Sequence, residues 1–235
     1  MNEIKNQHIL EHLNPIFDKL MLNKKGEIEV KKLEATQRFN EFITRLEMRY
    51  LELTDAENNI FNAGDQTTQE EHKILQFIFV NRIESFFQHF YASLSAFAMY
   101  INHISNQEFK RGMSIKGNKK FIEFLVKKFP DLTKDLQELE KVRDFRSKFI
   151  DHIQQRTLCD WMTYAHPSKN GVDSGIIYFI KKGPEIYFTG MTSPNDPNFK
   201  PPVNCDVFWV SPPHKQSWKL LIKTIEKVIK EIPNK

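Results

Sequence analysis

The stretch from Ile74 to Ile104 constrains the fold of this chain more than any other. It carries Phe77, Ile78, Phe86, Phe87, Phe90, Leu94, Phe97 and Ile101 at intervals that suit an α-helix. A helix so dense in aromatic and aliphatic side chains is expected to be buried on most sides. It does not suit a lipid bilayer, because Asn81, Arg82, Glu84, Gln88 and His89 interrupt it and ionisable groups are costly at membrane depth. The expectation is therefore a core helix around which the rest of the chain packs. Thr68-Gln69-Glu70-Glu71 precedes it in the pattern of a capping box, which fixes where the helix starts.

The flanking sequence supplies partners for that helix. An N-terminal helix is expected over the first 22 residues, restarting at Asn14-Pro15. A second runs from Glu27 to about Leu53 with Val30, Leu33, Phe39, Phe42, Ile43, Leu46 and Tyr50 on its apolar side. Thr54-Asp55-Ala56-Glu57 reads as another capping box, so the helix is expected to restart there and end before Gly64. After the central helix come a basic loop, Lys110 to Gly117, a short helix from about Asn118 to Phe129, and a helix from Asp131 to about Gln155. The 20 Phe against 8 Gly agree with long, Phe-packed helices.

Beyond Arg156 the pattern changes. Trp161, Tyr164 and Ile176 to Ile180, then Glu185 to Thr189, predict a β-hairpin turning at Lys182-Gly183-Pro184. A proline-rich loop, Ser193 to Val203, leads to a short strand over Asp206 to Val210. Ser211-Pro212-Pro213 then caps a terminal amphipathic helix with Trp218, Leu221, Ile222, Ile225, Ile229 and Ile232 on one face and lysines opposite. That stripe has the width of a helix docked on its own protein. The fold class is mainly α: a helical bundle over residues 1–156, and a C-terminal β-hairpin plus closing helix over 157–235, packed together as one domain.

Net charge and cysteine usage limit the function classes. A formal charge of +4 permits a polyanionic partner but is far from that of a DNA-coating protein. Cys159 and Cys205 form neither a disulfide framework nor a zinc motif, which suits a reducing cytoplasm. The start of the chain has neither the apolar run of a secretory signal nor the arginines of a transit peptide. His8-Ile9-Leu10-Glu11-His12 matches an H-x-x-E-H pattern, but an ordinary polar helix face explains it. His89 and His103 read as satisfied histidines, and Tyr91 and Tyr100 as core aromatics.

The chemistry-bearing pattern lies late in the helix after Asp131. Its stripe of Leu132, Leu136, Leu139, Arg143, Arg146, Ile150 and Ile153 places two arginines at apolar-phase positions. A semi-buried arginine needs an acidic partner or an anionic ligand. His152 follows Arg146 closely, and the pair has the chemistry for metal-free RNA cleavage. A histidine can take or give a proton near neutral pH, and an arginine can stabilise the charge that develops on a phosphate. The plainer alternative has Arg146 paired with Asp151 and His152 ending the helix favourably.

Arg146-Ser147-Lys148-Phe149-Ile150-Asp151-His152 resembles the R-x4-6-H motif of the HEPN superfamily. Arg146 matches the motif arginine, His152 the motif histidine, and Ser147 the polar position after the arginine. The resemblance implies a helical bundle that dimerises and an endoribonuclease of toxin or phage-defence type, needing no cofactor and no metal. On this basis Arg146 and His152 are the catalytic candidates, with Arg143, Ser147, Lys148 and Arg156 binding the substrate. The implied partners are RNA or a nucleotide, a second copy of the chain and an antitoxin protein, with no membrane. Ile153-Gln154 follow His152, so the H-x-Y ending of tyrosine-modified members is absent.

Helix geometry favours a dimer independently. Six residues advance a helix by roughly 9 Å and leave the two side chains about 120° apart, so they do not share a face. A compact site then needs an extended Arg146, a distorted turn near His152, or a second copy of the motif across a two-fold axis. Two other classes stay open: a non-catalytic HEPN-like module that binds nucleotide, RNA or a protein, and a structural dimer without ligand.

Overall fold

A computed structural model describes residues 30–63, 68–105, 115–145, 159–168, 171–181, 205–209 and 213–232. The chain is mainly α. Five helices are described: α1 (Val30–Ala63), α2 (Gln69–Ser105), α3 (Ile115–Lys128), α4 (Thr133–Phe145) and α5 (Pro213–Glu231). A single 3-10 turn, Pro130–Leu132, joins α3 to α4. The expected N-terminal helix, the His8 to His12 pattern and the proline-rich loop lie outside the described residues.

The long helices α1 and α2 pack antiparallel. Ser93 Oγ donates to the Phe42 carbonyl at 3.1 Å, and further along Arg82 meets Glu52 at 2.7 Å, so sequence number rises on one helix as it falls on the other. The capping box at the head of α2 is formed. The Thr68 N–H and hydroxyl both donate to Glu71 Oε2 at 2.8 and 2.7 Å, while the Glu71 N–H donates back to Thr68 Oγ1 at 3.3 Å. These bonds hold the exposed Glu71 carboxyl below its usual range.

Aromatic stacking ties three helices together. Phe39 of α1 stacks on Phe97 and Tyr100 of α2 at 5.2 and 5.3 Å, and Phe97 meets Phe121 of α3 edge-on at 5.4 Å. Leu132 of the 3-10 turn with Leu136 and Leu139 of α4 joins the same core, and Leu221, Ile225, Val228 and Ile229 bring in α5. Their three- and four-residue spacing makes each a continuous stripe. Lys223 and Lys227 of α5 pair with Asp135 at the start of α4 and Asp131 in the turn before it.

Three expectations need correction. First, α1 does not restart at Thr54. The Thr54 hydroxyl bonds the Tyr50 carbonyl one turn back at 2.9 Å, and Glu57 reaches Lys215 instead of a cap. Leu53, Ala56 and Ile60 are buried on one continuous stripe, and breaking the helix would rotate that stripe away from the core. Secondly, α2 is not buried throughout. Ile74, Phe77 and Ile78 are 53, 70 and 41% exposed, whereas the positions from Phe79 onward that face the core are closed. The ring contacts that α2 makes with α5 and α3 fall at Phe86 and Phe97, beyond these first turns.

Thirdly, the strand pairing differs from the expected one. β1 (Cys159–Ser168) pairs antiparallel with β2 (Gly171–Lys181), from Cys159 opposite Ile180 to Ser168 opposite Gly171. β3 (Cys205–Trp209) lies antiparallel on the other side of β2, with Tyr178 opposite Trp209 and a register irregularity between Phe179 and Lys181. This pairing closes between Ser168 and Gly171, whereas the expected turn at Lys182-Gly183-Pro184 and the stretch from Glu185 to Thr189 lie outside the described residues. α3 also begins earlier than expected, taking in Ile115 to Gly117.

Candidate functional site

α4 is described as far as Phe145, and Arg146, Ser147, Lys148, His152 and Arg156 lie outside the described residues. Arg143, on the last turn of α4, is the one candidate that the structure describes. Its side chain is 7% exposed, with the guanidinium 4.0 Å from Glu140 Oε1 one turn earlier. This is the semi-buried arginine with an acidic partner that its apolar-phase position requires. Arg143 faces a carboxylate within its own helix, so it could contact a substrate phosphate only by changing that arrangement.

The two ion pairs between α4 and α5 fix which end of the bundle this is. Asp131 meets Lys227 and Asp135 meets Lys223, an antiparallel register. Continued to the helix ends, it brings the last turn of α4, roughly 15 Å beyond Asp135, level with the first turn of α5, the same distance before Lys223. The last described turn of α4 and the first turn of α5 therefore share one end.

At the N-terminus of α5 lies a buried polar cluster which sequence reasoning missed. Glu57 of α1 and His214 of α5 are each 1% exposed, with His214 Nε2 3.8 Å from Glu57 Oε2. Lys215, 42% exposed, reaches the same carboxylate at 2.5 Å. His214 Nε2 also lies 3.5 Å from Thr54 Oγ1. Burial, helped by the Lys215 charge, pushes the His214 imidazole down to about 3, so it is neutral across the ordinary pH range. Tyr50 stacks on Trp218 at 5.4 Å, and the edge-on Phe86 ring closes the cluster from α2.

Glu57 and His214 are enclosed, and through them the cluster anchors the start of α5 on α1. The sequence signal for it was weak. Glu57 read as a capping residue because it follows Thr54 by three, and nothing local in Pro213-His214-Lys215 shows that the histidine will be enclosed by α1 and α2.

The other singled-out histidines have plain roles or none. His89 Nδ1 lies 2.8 Å from the carbonyl of Ser85, one turn back on the same helix. His103 is exposed near the end of α2. Among the described residues no helix is long and apolar enough to cross a membrane, and no cluster of His, Cys, Asp and Glu could hold a metal ion. No protein-family model matches the chain, and no curated protein or solved structure matches it either.

Proposed function

We propose that this chain is a metal-independent endoribonuclease of HEPN type, acting as a toxin or phage-defence effector, with a composite site made by two copies. The observation that carries the reading is in the sequence: Arg146 to His152 has the R-x4-6-H spacing and follows directly on the turn of α4 that holds the buried Arg143. In this mechanism one His152 removes the proton from a ribose 2′-hydroxyl. The 2′-oxygen attacks the adjacent phosphorus, and Arg146 stabilises the negative charge of the crowded phosphorane. The bond to the 5′-oxygen then breaks, and the second His152 gives that oxygen a proton. The products are a 2′,3′-cyclic phosphate and a 5′-hydroxyl end. Lys148 and Arg156 would hold neighbouring phosphates, and Ser147 would orient one.

A second reading has the same segment bind nucleotide, RNA or a protein without cutting. Cleavage in EDTA separates the two. The nuclease cuts single-stranded RNA to 2′,3′-cyclic ends, and His152→Ala abolishes cutting with binding largely kept. A protein that binds RNA in a salt-dependent manner, weakened by Arg146→Ala, and never cuts it, is the non-catalytic module. Undiminished cleavage by His152→Ala overturns the mechanism.

A further inference from the structure

The first turns of α2 expose an apolar group that no described element covers. Ile74, Phe77 and Ile78 lie three and four residues apart on one face, and together they leave roughly 350 Å² of apolar side chain in water. The register of α1 on α2, from Phe42 beside Ser93 to Glu52 beside Arg82, continues to Glu57 level with Phe77. This is the bundle end where α5 starts and where α4 is last described. Val30 and Ser105, where the chain continues beyond α1 and α2, lie roughly 40 Å away along those helices. The segments leaving them start far from this face.

The charges around this face have an order. Lys73 and Glu84 are both exposed, and neither makes an ion pair among the described residues. They stand three full turns apart, so they flank Phe77 on the same side of the helix at a separation of roughly 16 Å. A face that runs from a cation through apolar side chains to a carboxylate is complementary to itself when a second copy lies antiparallel across a two-fold axis. With the axis passing between Ile78 and Phe79, Lys73 falls opposite Glu84 twice, Phe77 opposite Val80, and Glu70 near Gln88, so no like charges meet. An RNA or an anionic lipid surface would find Glu70, Glu71 and Glu84 here against Lys73 alone.

We propose that two copies of this chain associate through the first turns of α2, packed antiparallel about a two-fold axis with Ile74, Phe77 and Ile78 at the centre and a Lys73–Glu84 pair at each edge. Burial of the apolar group supplies the attraction, and the charge pairs fix the orientation. Two copies bury about 700 Å² of apolar side chain, less than the apolar share of a standard interface, so the dissociation constant is about 10–100 μM. In dilute solution the chain is then monomeric, with Phe77 in water. The interface is carried by this face alone. It sets the ends at which both copies of α4 are last described at the level of the two-fold axis, and its use in a composite site rests on the nuclease reading.

Sedimentation velocity of the full chain from about 1 to 300 μM tests the proposal. Wild type shifts from monomer to dimer over this range, and Phe77→Glu weakens dimerisation at least about tenfold. Lys73→Glu and Glu84→Lys each set like charges opposite one another, and each alone weakens it at least about threefold. Mixed in equal amounts, these two variants form a heterodimer about as tight as the wild-type dimer, because every facing pair is again opposite in sign. All three positions are exposed, and an unchanged helical circular dichroism checks that the variants fold. A chain that stays monomeric throughout overturns the proposal, as does a dimer that survives Phe77→Glu, or a mixture no tighter than its components. His152→Ala dimerises as wild type does, so a dimer that cuts no RNA sinks the nuclease reading and leaves this interface standing.

Discussion

Phe39 and Phe77 are the same residue type on neighbouring helices, one 0% and the other 70% exposed. The contrast makes a quantitative test of where the core lies. Truncating Phe39 to alanine removes a buried ring and leaves a space bounded by Phe97 and Tyr100, which lose their stacking partner. Buried Phe→Ala changes cost about 3–5 kcal/mol, part of it from the cavity that neighbouring side chains fail to fill. Truncating Phe77 removes a ring already in water, and surface changes of this kind stay within about 0.5 kcal/mol. For a chain of this size each kcal/mol corresponds to about 2–4 °C in Tm, so Phe39→Ala lowers Tm by about 6–20 °C and Phe77→Ala by no more than about 2 °C. Urea unfolding followed by far-ultraviolet circular dichroism measures both. Phe39→Leu, which keeps most of the apolar volume but not the stack, falls between. Equal losses for Phe39→Ala and Phe77→Ala would refute the assignment of the α1–α2 core, and a large loss at Phe77 alone would mean that its face is covered in solution.

His214 gives a pH signature. Its folded value of about 3 lies below the unfolded reference of about 6.5, so its stabilising contribution is complete above pH 6.5 and lost as pH falls from there toward 3, with a slope of at most about 1.4 kcal/mol per unit. Urea midpoints for wild type and His214→Phe across that window check this, and parallel pH curves would refute it. Thr68→Ala removes the reciprocal cap on α2, and hydrogen exchange accelerates in the first turn only; uniform acceleration along α2 would contradict a local role. Glu57→Leu with Lys215→Met replaces the α1–α5 ion pair by apolar groups and leaves stability unchanged or raised, whereas Lys215→Met alone lowers it by leaving the buried Glu57 carboxylate without its partner. A double-mutant cycle in urea distinguishes coupling from two independent losses.

The sequence shows most clearly what depends on neighbours three and four residues away. The Thr68–Glu71 cap, the apolar stripes of α4 and α5, and the start of α5 at Pro213 are all local patterns, and the structure has them. What depends on distant packing is not legible in the same way. Phe77 and Phe86 look alike along the sequence. They differ because Phe86 meets His214 of α5, whereas Phe77 remains exposed on the helix's first turns. Thr54 to Glu57 satisfies a capping formula, but the stripe through Leu53, Ala56 and Ile60 carries α1 on. The strand partners were not legible for a different reason: which strand lies beside Tyr178 depends on pairing with Trp161 and Trp209, far away in the sequence. For the candidate site only Arg143 can be compared. Its phase implied burial with an acidic partner or an anionic ligand; it is buried with Glu140 4.0 Å away, a partner the phase did not identify.

The arrangement of lysines bears on where a polyanion could bind. Viewed as a helical wheel, α5 is a basic amphipathic helix whose lysines would be free to meet phosphate. In the fold, Lys215 is held by Glu57, Lys223 by Asp135 and Lys227 by Asp131, so much of that apparent charge is already neutralised by carboxylates of α1, α4 and the turn before it. Arg82 and Arg49 likewise share Glu52. A nucleic acid approaching these surfaces would have to displace a protein carboxylate for each phosphate gained, which cancels most of the counterion-release term that drives such binding. The net +4 of the chain therefore does not form a free stripe on α5. An RNA site at this end of the bundle must draw on cations beyond the last turn of α4, where Arg146, Lys148 and Arg156 stand in the sequence. The salt dependence of RNA binding should accordingly fall with Lys148→Gln and Arg156→Gln, and stay unchanged with Lys223→Gln and Lys227→Gln.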